Sequence, residues 1–106
     1  MSQIDGFHFH TLCEQNSDDL EKTLDAVEAK FGDLLYNLKW LNMGGGHHIT
    51  RVDYDIAKLE ECITHMQEKY DLEIYLEPGE AVALNAGYLE TTVLDIVQNG
   101  DVKILI

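Results

Sequence analysis

Three consecutive glycines, Gly44, Gly45 and Gly46, close the run Leu38 to Met43, and a helical pattern resumes only after Asp53. No other stretch limits the backbone so strongly. With no Cβ in the way, a ligand can lie directly against the backbone N–H groups. Glycine also accepts the positive φ that a tight anion-cradling turn needs. A strand ending in such a turn is a natural phosphate site in an α/β protein. The same triplet also marks plain surface turns, so the choice between the two rests on what the chain brings beside it.

The segments around the turn read β-α-β-α-β. Gly6-Phe7-His8-Phe9-His10 alternates at strand period, with the phenylalanines on one face and the imidazoles on the other. Thr11 to Asn16 is a loop. Ser17 is expected to cap the helix that follows, with Asp18, Asp19 and Glu21 at its positive end. Leu20, Leu24, Val27 and Phe31 make one helix face, and Gly32 is a plausible stop. Leu38 to Met43 is the second strand. Asp53 or Asp55 caps the next helix, along which Ile56, Leu59, Ile63, Met66 and Tyr70 line one face. Leu72 to Leu76 is the third strand, ending in Glu77-Pro78-Gly79-Glu80. This pattern predicts a parallel sheet with helices on its faces.

After Ala81 the pattern changes. Ala81 to Ala86 and Tyr88 to Gln98 both read as extended. Asn99-Gly100 is a hairpin signal, and Val102 to Ile106 is the expected returning strand. An antiparallel β segment is thus expected after the parallel unit. A close on Lys103-Ile104-Leu105-Ile106 is what a chain cut within such a segment would show.

Charge narrows the partners. Twenty acidic against seven basic side chains give a formal charge of −13. That argues against nucleic acid and anionic membrane surfaces, which need a positive face, and suits a cationic small molecule. Cys13 and Cys62 lie far apart without C-x-x-C spacing, so no disulfide framework is expected. The first residues lack the cationic and apolar blocks of a signal peptide, and no apolar stretch approaches transmembrane length. The expectation is a cytoplasmic protein.

All three strands end in polar or glycine-rich residues at the edge where parallel α/β proteins hold their active sites. His8 and His10 can be read as an H-x-H metal chelate, as imidazoles stacked on a flat cofactor ring, or as hydrogen-bonded strand residues. His47 and His48 could add metal ligands, but no Asp or Cys pair has a spacing that completes a set. Glu77, held extended before Pro78, could cap a helix, pair with a cation or hold a proton on a ring nitrogen. Cys13, in the loop after the first strand, is either a ligand contact or a loop thiol.

Three ordered motifs carry a resemblance: Gly6-Phe7-His8-Phe9-His10-Thr11-Leu12-Cys13-Glu14, Asn42-Met43-Gly44-Gly45-Gly46-His47 and Glu77-Pro78-Gly79-Glu80-Ala81. Together they closely resemble the carboxynorspermidine decarboxylase family, relatives of ornithine and diaminopimelate decarboxylases with an alanine-racemase-like fold. The resemblance implies a pyridoxal-phosphate enzyme with a (β/α)8 barrel followed by a β domain. It makes residues 1–80 the last three barrel strands with two helices, and residues 81–106 the start of the antiparallel β domain. It implies that His10 stacks on the cofactor's pyridine ring, that Gly44, Gly45 and Gly46 bind its phosphate, and that Glu77 pairs with its ring nitrogen. Cys13 falls where relatives often carry a serine near the phosphate. The expected substrate is a small cationic carboxylated polyamine in norspermidine or spermidine biosynthesis, and the expected full-length assembly is a homodimer.

Two departures matter. Ornithine and diaminopimelate decarboxylases usually read Glu-Pro-Gly-Arg, whereas this chain has Glu80 as the fourth residue. An unpaired or like charge at a partly buried site costs on the order of 2–5 kcal/mol, so the reversal can select an ammonium over an anion. Glu80 is therefore expected to bind a substrate amine. The second departure is the covalent lysine: no stretch matches its motif, and Lys39 lies in a strand before the glycine turn. A barrel of this type takes roughly 250 residues, so the chain reads as one piece of the enzyme, inactive alone and prone to self-association. The competing readings are a diaminopimelate or arginine decarboxylase of the same fold, a metal-dependent hydrolase using His8 and His10, and a non-catalytic binding module.

Overall fold

Asn16 and Asp55 start the two long helices. In the computed structural model, which describes residues 4–11 and 16–106, the Asn16 side chain accepts from the Ser17 N–H at the head of α1 (Ser17–Leu35). Asp55 accepts from the Lys58 N–H at the head of α2 (Ile56–Tyr70). The two starts are also joined. Asn16 Oδ1 accepts from the Asp55 N–H at 3.1 Å, and its Nδ2 donates to the Asp53 carbonyl at 3.0 Å. Ser17, expected as the cap, is instead the first helical residue. It is fully buried, with its hydroxyl donating to the Asp55 carbonyl at 2.8 Å.

Gly32 does not end α1, which runs on to Leu35. An interior glycine costs about 1 kcal/mol relative to alanine, but the added turn carries Leu35 into full burial, worth roughly 1.5–3 kcal/mol. Burial wins over the local stop signal.

Three short strands, β1 (Gly6–His8), β2 (Trp40–Asn42) and β3 (Glu73–Tyr75), form a parallel sheet in chain order. Phe7, Leu41 and Ile74 share one register row. They face the helices, joining a core of Leu20, Leu24, Leu35, Met43, Leu59 and Met66. The flanking rows, Gly6-Trp40-Glu73 and His8-Asn42-Tyr75, turn to the opposite face. The strands are shorter than their sequence patterns, but the pairing continues past them: Phe9 N–H donates to the Asn42 carbonyl and Met43 N–H to that of Tyr75.

Residues 81–86 are not extended. A short helix, α3 (Gly79–Ala83), follows Pro78, buries Ala81 and receives a hydrogen bond from Thr50 Oγ1 to the Ala81 carbonyl. Beyond it, only Ile96–Asn99 (β4) and Val102–Leu105 (β5) form strands, paired antiparallel. The hairpin is as expected, but its two loop residues are Gly100 and Asp101, with Gly100 at φ +59°. Residues 87–95 hold no regular element, since an extended stretch needs a partner strand to persist. Every residue of β4 and β5 is exposed. Among the described residues, no helix is long and apolar enough to cross a membrane.

Candidate active site

The ends of the three parallel strands meet. Gly44 sits at φ +71°, and a Cβ there would lie 2.3 Å from the Phe9 carbonyl oxygen and 3.0 Å from His10 Cα. A Cβ on Gly45 would lie 3.0 Å from both the Glu77 carbonyl oxygen and His10 Cε1. Only glycine lets the turn after β2 pass between the chains leaving β1 and β3. The Glu77 N–H closes the arrangement by donating to the Gly44 carbonyl at 2.8 Å.

Side chains converge on the same edge. His10 Nδ1 accepts from the Gly45 N–H at 3.2 Å, so the proton of a neutral imidazole sits on Nε2. His8 Nε2 lies 3.1 Å from Glu77 Oε2. Both partners are about half exposed, so the pair is open to a ligand. Asn42, whose role the sequence reading did not pick out, accepts from the Gly44 N–H at 2.9 Å. An asparagine two residues before a glycine is an Asx-turn signal, and it could have been read as such. The N–H groups of Gly44 and Gly45 thus have protein partners, and Gly46, at φ +81°, continues the turn.

His47 and His48 are not exposed ligands. His47 is buried, and its Nε2 donates back to the Met43 carbonyl at 3.0 Å, leaving Nδ1 without a partner among the described residues. Burial holds its pKa below the ordinary histidine value, against the pull of the Met43 and Gly44 carbonyls, so the ring is neutral and pins the turn. His48 is 2% exposed, with Nε2 facing Glu80 Oε2 at 3.8 Å. Glu80 occupies the first turn of α3 and is half exposed. Among the described residues, no group of three His, Cys, Asp or Glu side chains could hold a metal ion. Cys13 lies outside the described residues.

The structure therefore brings His10, Gly44, Gly45 and Glu77 into contact, with Glu80 nearest to His48. An imidazole, a glycine turn without Cβ atoms and a half-exposed carboxylate thus share one small edge.

No protein-family model matches the chain. Over 99 residues it is 46% identical to a carboxynorspermidine/carboxyspermidine decarboxylase of Campylobacter jejuni, covering 93% of this chain and 26% of that protein. A carboxyaminopropylagmatine decarboxylase of Synechocystis is 40% identical over 98 residues, covering 92% and 25%. A carboxynorspermidine/carboxyspermidine decarboxylase of Herminiimonas arsenicoxydans is 36% identical over 101 residues, covering 94% and 28%. Among solved structures, carboxynorspermidine decarboxylase of Campylobacter jejuni, complexed with norspermidine, superposes with a TM-score of 0.78 at 46% identity. That match covers 96% of this chain and 28% of the solved one. The chain thus spans about a quarter of the length of the relatives it matches.

Proposed function

We propose that this chain is the cofactor-binding segment of a pyridoxal-phosphate-dependent decarboxylase that acts on carboxynorspermidine or carboxyspermidine in polyamine biosynthesis. The observation that carries the reading is the meeting of His10, Gly45 and Glu77 at one sheet edge, in a chain 46% identical to a carboxynorspermidine/carboxyspermidine decarboxylase. In the full-length protein the sheet extends to a (β/α)8 barrel, residues 1–80 supply its last three strands, and residues 81–106 begin a β domain. The protein is a cytoplasmic homodimer.

Bound pyridoxal phosphate supplies an electron-accepting ring for the pair left when the carboxylate departs. The chain's residues orient and tune it. Glu77 would keep a proton on the ring nitrogen, with His8 Nε2 already beside that carboxylate. His10 would lie against the ring. The N–H groups of Gly46 and Gly45 would hold the phosphate, the latter in place of its bond to His10. Gly44 contributes through its missing Cβ, and Asn42 holds its N–H. Glu80 takes a substrate ammonium, and the formal charge of −13 draws a polycation toward the site. The covalent lysine comes from elsewhere in the full-length protein.

The Synechocystis relative favours a second substrate of the same class, carboxyaminopropylagmatine, with a guanidinium in place of a terminal amine. The test is product formation by the full-length protein. Norspermidine or spermidine release that depends on added pyridoxal phosphate and ignores chelators supports the reading. Activity lost to chelators, or none on any carboxylated polyamine, contradicts it. The ratio of kcat/KM values for the two substrate types selects between them.

A further inference from the structure

The loop after the glycine turn makes one hydrogen bond to α3 and one longer approach. Thr50 Oγ1 donates to the Ala81 carbonyl at 3.0 Å, and His48 directs Nε2 at the Glu80 carboxylate. His48 is buried, and its Nε2 has no hydrogen-bond partner among the described residues. A buried polar nitrogen left unmatched is costly, and Glu80 Oε2 at 3.8 Å is the acceptor within reach. Hydrogen bonds within active sites are commonly long in the free protein and tighten when ligand binds. Here the closure needed is about 1 Å.

Glu80 needs such a tie. It sits on a helix of five residues, too short to be stable alone, and its side chain is half exposed. A carboxylate that selects one ammonium along a flexible polyamine must be held at a fixed point, because binding free energy is lost in ordering a mobile partner. We propose that His48 is a positioning residue for Glu80. Its Nε2–H holds one carboxylate oxygen and leaves the other directed at the substrate ammonium. Thr50 anchors the helix beneath. The loop that begins at the glycine turn thereby sets the distance between the cofactor's phosphate end and the amine-binding carboxylate. The inference rests on the proposed reading of Glu80 as the ammonium site.

The test uses the full-length protein with four changes: His48→Phe, which keeps volume without an N–H; His48→Gln, which returns an amide N–H; Glu80→Gln; and the His48→Phe/Glu80→Gln pair. KM and kcat are measured for carboxynorspermidine, with pyridoxal phosphate affinity read from visible absorbance. The expected result is a KM about tenfold higher in His48→Phe, with kcat and cofactor affinity within twofold of wild type, and recovery in His48→Gln. The double variant should be no worse than Glu80→Gln, since one interaction cannot be lost twice. Equal damage from Phe and Gln, or additive losses in the double variant, would overturn the role of His48. An unchanged KM in Glu80→Gln would instead remove the reading of Glu80 itself. Should the His48 variants fail to fold, the wild-type imidazole 15N spectrum decides. A proton on Nε2 in the polyamine complex supports the tie, and one on Nδ1 alone refutes it.

Discussion

His10 Nδ1 accepts the backbone N–H of Gly45 at 3.2 Å, tying the chain leaving β1 to the turn that follows β2. The bond fixes the tautomer of the imidazole proposed to face the cofactor ring. It also occupies one of the N–H groups proposed to bind phosphate, so a phosphate at Gly45 would require His10 to release that bond.

The glycine turn yields a contrast between two substitutions. Gly44→Ala sets a Cβ 2.3 Å from the Phe9 carbonyl oxygen at φ +71°, and both partners are backbone-fixed. Gly79→Ala meets nothing within 4 Å. Urea unfolding of the full-length protein should show Gly44→Ala destabilised by about 2–4 kcal/mol and Gly79→Ala within about 0.5 kcal/mol of wild type.

Asn16 serves two helices, so its loss should exceed that of an ordinary cap. Asn16→Ala removes acceptors for the Ser17 and Asp55 N–H groups and a donor to the Asp53 carbonyl. A cost of about 2–3 kcal/mol is expected. Asn16→Asp keeps the acceptors and should recover about half, read from the same unfolding curves.

Between α1 and α2, Glu28 accepts from Lys69, Tyr70 and His65. Burial raises its carboxyl pKa, but these donors outweigh burial and hold it at about 2, against the ordinary value of 4.5. The folded value is the lower one, so the contribution to stability is complete above pH 4.5 and lost as pH falls toward 2. Glu28→Gln should be less stable than wild type at neutral pH, and thermal melts should converge as pH drops through that window.

Expressed alone, the chain should self-associate. The outer edge of β1 has no partner strand among the described residues, and Leu94, Ile96, Val102 and Leu105 are exposed, a combination that templates pairing between molecules. Sedimentation should find concentration-dependent oligomers, and a compact monomer would count against this.

The parallel unit was legible because its cores repeat at helix and strand period. Leu20 and Leu24 on α1, and Leu59, Met66 and Tyr70 on α2, lie buried as their spacing required. Local signals failed where burial competed with them: Gly32 sits inside a helix that continues to bury Leu35, and Ser17 yields the cap to Asn16. The stretch from Ala81 to Ala86 read as extended, yet the turn at Pro78 and burial of Ala81 favour a helical turn. At the site, the convergence of His10, the glycines and Glu77 could be anticipated from three strand ends on one edge. The burial of His47 and His48 could not, since it depends on how the loop folds back over Met43 and toward α3.

The central claim is that these strand ends form one pyridoxal phosphate pocket. Titrating the full-length protein with pyridoxal phosphate, while following visible absorbance, tests it most directly. The account predicts a saturable protein-bound band in wild type, with affinity about tenfold weaker or more in His10→Ala and the band altered in Glu77→Gln. No band in wild type, or titrations of both variants that overlay the wild type, would contradict it.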